Sequence, residues 1–154
     1  MRSILPDPHR REPSCEDGRV PPRRRVDPAE VRAAVLAVSD WLVDPTVPTP
    51  GRAALADAVR RSARTLEQLA PGNSVEVRVP PFVAVQCIEG PRHTRGTPPN
   101  VVEMAPRTWL LLVAGVLTYD DALAAGLMDA SGHRAALIAD LLPLNPIGPP
   151  GDRE

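Results

Sequence analysis

Residues 90–132 constrain the fold more than any other part of the chain. They hold, in order, a Pro-rich loop, a short apolar strand, a helix led by Trp109, a break marked by Gly115, a second short helix and another strand. Thr118 followed three residues later by Asp121 is typical of a helix N-terminus. Almost no residue here suits covalent or acid–base catalysis, so the stretch favours binding over chemistry.

The residues before this stretch alternate as in a half-buried strand. Val75, Val77 and Val79 share one face, and Glu76 and Arg78 share the other. A Pro-Pro step and a second apolar run follow at once, which predicts an antiparallel hairpin. We expect four strands, over residues 75–80, 83–89, 101–104 and 127–130.

Helical spacing of apolar residues predicts five helices. Asp27 is placed to cap the first, Pro28 suits its first position, and Glu30 sits where a capping-box partner would. The predicted helices cover residues 28–43, 50–70, 106–114, 119–125 and 134–142. The pattern predicts an α+β (mixed α/β) fold, a small twisted mixed β-sheet covered on one face by helices.

A chain of 154 residues suits one domain with tails. Residues 1–26 are rich in Pro, Arg, Asp and Glu, and we expect a disordered tail there. We expect the domain to span residues 27–145, with its first two helices at the N-terminal side. Residues 146–154 are predicted to be a flexible C-terminal tail.

Charge and aromatic content argue against a nucleic-acid partner. The formal net charge is −1, so no global field would attract nucleic acid. Aromatic residues make up 3% of the chain, too few for a base-stacking platform. We expect no nucleic-acid partner.

The two cysteines indicate a reducing compartment. Cys15 lies in the polar N-terminal segment and Cys87 in an apolar strand, which makes a poor disulfide framework. No apolar run is long enough to cross a bilayer. We therefore expect reduced thiols, a cytoplasmic location and no integral membrane association.

Candidates for catalysis or metal binding are sparse. His9, His93 and His133 show no metal-ligand spacing, so we expect no metal site. Cys87 sits in an apolar strand, where burial raises a thiol pKa, and Ser131 lacks a nucleophile elbow. We expect no catalytic residue and no cofactor, and we predict that the protein is not an enzyme.

Several segments occur in an informative order: the loop IEGPRHTRGTPPN, the helix APRTWLLLVAG, the capped helix LTYDDALAAG and the strand-turn LMDASG. This order resembles the C-terminal half of the sterol carrier domain, the non-specific lipid-transfer fold. It is most similar to the short actinobacterial form, the bacterial sterol carrier protein orthologue domain. The resemblance covers about residues 74–144. It implies a mixed sheet, helices on one face and an apolar tunnel between them.

The resemblance also implies which side chains would line such a tunnel. They are the apolar residues along the expected seam between sheet and helices, namely Val85, Cys87, Val102, Trp109, Leu112, Val113 and Leu123. Trp109 has two interpretations, a core anchor or a cavity wall. The sequence does not separate them, because cores and cavity walls use the same residue types.

The loop after the second strand carries the best polar candidates. Arg92, His93 and Arg95 together suit a carboxylate or phosphate ligand. The alternative is a solvated loop whose arginines bond to backbone carbonyls or to Glu89 and Glu103. We favour the solvated loop, since surface loops hold most unpaired charges.

Two functions follow. The leading hypothesis is a non-catalytic binding or carrier module for a hydrophobic small molecule, lipid or sterol-like. The alternative is a protein-interaction domain with a filled core, acting on a protein partner through residues 91–96 or the N-terminal helices. A cavity of about 300 Å³ or more favours the first hypothesis, and a filled seam favours the second.

Overall fold

The computed structural model of the protein describes residues 24–91 and 100–148. Within these ranges the α-helices are α1 (Pro28–Ala37), α2 (Ser39–Val43), α3 (Arg52–Leu69), α4 (Pro106–Val113) and α5 (Tyr119–Ala124). The strands are β1 (Val75–Val79), β2 (Val83–Cys87), β3 (Val101–Met104) and β4 (Met128–Ser131), and a 3-10 helix spans Ala135–Leu141. The predicted α+β fold is confirmed.

The four strands form one mixed sheet in the order β2-β1-β3-β4. β1 pairs with β2 antiparallel, as the hairpin pattern predicts, and with β3 parallel. β4 returns antiparallel to β3, with Met104 opposite Met128. β2 returns the chain to the end of the sheet at which β1 begins, so β3 can then run parallel to β1.

Helices cover one face of this sheet. Val75, Val77 and Val79 of β1 are fully buried and join the side chains of α1, α3 and α4 in one core. On the other face Glu76 and Arg78, in contact with each other, are part-buried, and Ala84, Gln86 and Glu103 are exposed. The alternation in the sequence therefore reports the two faces correctly.

The first predicted helix is in fact two helices. The backbone leaves helical geometry at Val38, where φ is −112° and ψ is 1°, and α2 begins at Ser39. The Ser39 hydroxyl donates to the carbonyl oxygen of Leu36 at 2.9 Å. A hydroxyl that takes a backbone carbonyl competes with the helical ladder. The prediction of one continuous helix over residues 28–43 is wrong for this reason.

The predicted cap of α1 is half right. The carboxylate of Asp27 accepts a hydrogen bond from the backbone N–H of Ala29 at 2.9 Å. Glu30 does not act as the capping-box partner. It lies 2.6 Å from the guanidinium of Arg61, which also contacts Asp57 at 2.7 Å. These exposed ion pairs link α1 to α3 but contribute little to stability in water.

Glycines end both helices of the 106–124 region. The N–H of Gly115 bonds to the carbonyl of Leu112, and the N–H of Gly126 bonds to the carbonyl of Leu123. Both glycines have positive φ, 71° and 68°. This is the left-handed C-terminal geometry that glycine adopts at low cost. The predicted break at Gly115 is confirmed, and it turns the chain sharply from α4 into α5.

Candidate functional site: an apolar cleft at the end of α4

A cleft of about 280 Å³ lies where the end of α4, the start of α5 and the C-terminal segment meet. Its apolar lining is contributed by Leu112, Leu117, Tyr119, Ala139, Leu142 and Pro143. Gly115, Thr118 and Asp120 complete the wall. Most of the lining side chains are apolar and interact weakly with water, so the cleft suits an apolar group.

The C-terminal segment is held against α4 by main-chain hydrogen bonds. The N–H of Asn145 donates to the carbonyl of Val113 at 2.9 Å, and the N–H of Ile147 donates to that of Ala114 at 3.1 Å. These carbonyls lie at the end of α4, where no later helical N–H is available to donate to them. The segment thus closes one side of the cleft. That residues 146–154 form a flexible tail stays a prediction.

Close approach of the segment to α4 depends on Gly115. A Cβ atom at Gly115 would lie 3.3 Å from the ring carbons of Pro143. The positive φ of Gly115 would also strain any other residue. A larger residue would push Pro143 away and alter the floor of the cleft.

Thr118 fixes the opposite wall by capping α5. Its hydroxyl oxygen accepts a hydrogen bond from the backbone N–H of Asp121 at 3.1 Å, as the capping pattern predicts. The first residue of α5 is then Tyr119, whose side chain is buried. Burial raises the pKa of the Tyr119 phenol, and the nearby charge of Asp120 raises it further. The phenol therefore remains neutral at physiological pH.

The predicted lining residues fall into one core cluster, with one exception. Val85, Cys87, Val102, Trp109, Leu112 and Val113 are each at most 5% exposed and pack together between the sheet and the helices. Leu112 alone of this set also lines the cleft. That these side chains contact a ligand stays a prediction.

The prediction that Leu123 faces inward is wrong. Leu123 is 45% exposed, whereas Tyr119 and Ala122 of the same helix are buried. α5 has six residues, so it offers the core only one narrow stripe, formed by positions three apart. Leu123 follows Ala122 directly and is rotated by about 100° away from that stripe.

Trp109 is an anchored core residue. Its side chain is fully buried, and its indole Nε1 donates a hydrogen bond to the hydroxyl of Ser62 on α3 at 2.8 Å. Ser62 in turn donates to the carbonyl of Ala58 at 2.7 Å. Trp109 is not among the residues that line the cleft. Of the two interpretations of Trp109, the core anchor is the one that its contacts support.

The polar loop candidates Arg92, His93 and Arg95 lie outside the described residues. Asn100, where the described chain resumes, is buried and hydrogen-bonded. The Asn100 side chain donates to the carbonyl of Ser74 at 2.7 Å and accepts from the N–H of Arg134 at 2.9 Å. Sequence reasoning missed Asn100, because its burial and its bonds to Ser74 and Arg134 depend on long-range contacts that no local pattern shows.

Cys87 is a buried core thiol, as predicted. It is fully buried on β2. Burial raises the pKa of the Cys87 thiol to about 11, and the charge of Glu67 adds to the effect. A thiol in this state is a poor nucleophile near neutral pH.

Three other cavities differ in character from the cleft. Two of them, of about 420 and 500 Å³, lie along the segment at residues 24–28 and include charged groups such as Arg25. The third, of about 460 Å³, lies on the open face of the sheet between Arg78 and Glu103. Charged side chains of both signs border each of these three cavities, whereas Asp120 is the only charged residue among those that line the cleft beside α4.

Metal binding and membrane spanning find no support in the described ranges. Across residues 24–91 and 100–148, no three His, Cys, Asp or Glu side chains converge so as to hold a metal ion. In the same part of the chain, every helix is too short or too polar to span a bilayer.

Comparison with known proteins identifies the class. A family model described as bacterial SCP ortholog matches residues 51–144, well over half of the chain. No curated protein matches the chain. The chain belongs to the bacterial SCP ortholog family, which confirms the resemblance to a bacterial sterol carrier protein-like domain. The matched segment contains every residue that lines the cleft, whereas the two N-terminal cavities draw on residues before it.

Proposed function

We propose that the protein is a non-catalytic binding or carrier module for a hydrophobic small molecule, and that the cleft beside α4 receives it. The observation that carries this proposal is an apolar cleft lying wholly inside the segment that matches the family. Membership of a sterol carrier-like family suggests a lipid-binding or carrier role. We place this activity in the cytoplasm, in keeping with a reduced, buried Cys87.

The size of the cleft limits what it can enclose. About 280 Å³ falls just below the roughly 300 to 1,000 Å³ of most ligand pockets. A single alkyl chain or one end of a larger lipid fits this space better than an entire sterol. The apolar wall of Leu112, Leu117 and Leu142 would supply most of the affinity through burial of apolar surface.

The cleft lacks the groups that a catalytic mechanism needs. Its titratable groups are Tyr119, held neutral by burial, and Asp120. The hydroxyl of Thr118 is engaged with the carboxylate of Asp121 at 2.7 Å. Nucleophilic catalysis needs a nucleophile with an adjacent base that is itself oriented, and no such set lines the cleft among the described residues. These observations support the non-catalytic part of the proposal.

Native mass spectrometry tests the proposal. The full chain is purified from its own host under conditions that keep it folded, and its mass is compared with that of the denatured chain. We expect a small apolar molecule to co-purify. Ala139→Leu fills part of the cleft and should abolish the extra mass. Ala136→Leu makes the same change at an exposed position of the same 3-10 helix and should leave it.

Exposed apolar residues on the N-terminal helices favour the second function, a protein-interaction domain with a filled core. Leu36 and Val43 are each more than 40% exposed, and Leu69 at the end of α3 is 62% exposed. The seam between sheet and helices is packed by Trp109 and its neighbours. Two results together would favour this function over the carrier: native mass spectrometry finds only the mass of the chain itself, and Leu69→Ser abolishes binding to a protein partner.

A further inference from the structure

The charges around the cleft indicate which ligands it selects. Of the nine described residues that line it, Asp120 is the only one with a formal charge, and none is basic. A carrier that takes fatty acids or phospholipids would be expected to offer a cation to the anionic head. In this cleft the charged lining residue is Asp120, whose carboxylate is negative.

Residues flanking the lining strengthen the negative sign. Asp121 follows Asp120 in the first turn of α5. Asp140 follows the lining residue Ala139 on the 3-10 helix, and its side chain is exposed. Both walls of the cleft therefore carry a carboxylate at or beside the lining.

The start of α5 does not reverse this sign. Backbone N–H groups at a helix start attract anions. In α5 the N–H of Asp121 is already bonded to the Thr118 hydroxyl. The carboxylates of Asp120 and Asp121 occupy the same turn and balance the remaining partial positive charge. An incoming carboxylate or phosphate head would therefore meet net repulsion.

We propose that the cleft is specific for amphiphiles whose polar end is uncharged or positively charged, and that Asp120 disfavours carboxylate and phosphate heads. This inference rests on the proposed function, because it assumes that the cleft takes an apolar chain. It goes further by naming the head group. A long-chain alcohol or amine meets the requirement, and a fatty acid anion does not.

The proximity of Asp120 to the apolar wall is supported by Tyr119. The charge of Asp120 acts on the phenol of Tyr119, which lines the cleft and is buried. A ligand head near Tyr119 would be subject to the same field. Asp120 itself is exposed, so the effect on a ligand is that of a partly screened charge.

Calorimetric titration with three probes of equal chain length tests the inference. The probes are decanol, kept below its solubility limit, and decanoate and decyltrimethylammonium, each kept below its micelle concentration, at low salt and about neutral pH. We expect decanol and the ammonium probe to bind, with decanoate weaker by about three- to tenfold, the size expected for two unit charges near a solvated surface. Added salt should reduce the difference.

Two matched variants locate the effect. Asp120→Asn should bring decanoate to within about twofold of decanol, since it removes the repelling charge. Asp129→Asn removes the same charge from an exposed position on β4, away from the cleft, and should leave the difference unchanged. Thermal denaturation of both variants checks that the fold is retained.

The outcomes are distinct. Binding of all three probes with equal affinity would overturn the charge selectivity and leave the carrier function standing. An equal effect of Asp129→Asn and Asp120→Asn would also overturn it, because a global charge would then be the cause. Absence of binding by every probe would overturn the proposed function and this inference with it.

Discussion

The indole nitrogen of Trp109 on α4 donates a hydrogen bond to the hydroxyl of Ser62 on α3, across 2.8 Å, with both side chains fully buried. Forty-seven positions separate the two residues in the chain. The bond satisfies the one polar group of the largest buried side chain in the described core. The bond joins α4, which leads to the cleft, with α3, the longest helix among the described residues.

Trp109→Ala should lower the free energy of unfolding by about 3–5 kcal/mol, because it leaves a large cavity between α3 and α4. Urea denaturation followed by circular dichroism measures the change. Trp41→Phe, at a partly exposed aromatic, is the control and should cost much less. A loss below about 1 kcal/mol for Trp109→Ala would mean that Trp109 borders space that is already empty or filled by a ligand.

Ser62→Ala should lower the free energy of unfolding by about 1–3 kcal/mol, because it leaves the buried indole N–H of Trp109 without its acceptor. Ser39→Ala is the matched control. Ser39 is also a buried helical serine, but its hydroxyl bonds to the backbone carbonyl of Leu36, across the break at Val38, and not to a buried side chain. Its removal should cost less. Equal losses for the two variants in urea denaturation would show that the bond to Trp109 adds nothing specific.

Most of the fold is predictable from the sequence because its local signals agree. The alternation of Val75, Val77 and Val79 reports a one-sided strand, and the Thr118 cap and Gly115 break report helix ends. Each signal depends on a few neighbouring residues. For the same reason, the break at Val38 escapes prediction, since apolar periodicity continues through it.

The candidate cleft is far less predictable. Its walls come from α4, α5 and a C-terminal segment that, from Leu142 to residue 148, has no regular structure. Ala139, Leu142 and Pro143 reach the cleft because main-chain bonds dock the segment on α4. No periodicity encodes such docking. A run of apolar residues beyond the last helix is the only signal the sequence offers. Leu123 is predicted to be buried but is exposed. A helix of six residues has too few apolar positions for their spacing to show which side is buried.

Gly72→Ala should be strongly destabilising. A Cβ atom at Gly72 would overlap the carbonyl carbon and carbonyl oxygen of Ile88. Both are backbone atoms, so they cannot move aside. Its φ of 153° adds strain for any other residue. We expect a loss of about 3 kcal/mol in unfolding free energy. At Gly51, the N-cap of α3, no atom lies within 4 Å of the corresponding Cβ, so Gly51→Ala should cost about 1 kcal/mol or less. Similar stabilities of the two variants would contradict this packing.

Stability should fall as the pH rises from about 9 to about 11. Burial raises the pKa of the Cys87 thiol in the folded chain from 9.0 to about 11, so folding favours the protonated thiol. This contribution is complete below the unfolded pKa and is lost as the pH approaches the folded value. Unfolding free energies measured across this range should show the decline, and Cys87→Ala should reduce its slope. An unchanged slope in that variant would assign the decline to other groups.

Two-dimensional 1H–15N spectra of the labelled full chain, recorded during titration with decanol, show whether the cleft beside α4 receives an apolar molecule. If it does, the shifted amides cluster at Gly115, Leu117, Tyr119 and Ala139, around the cleft. Ala139→Leu should abolish these shifts, and Ala136→Leu should preserve them. Shifts confined to the groove around Arg25 and Leu69, or no shifts at saturating decanol, would contradict the claim.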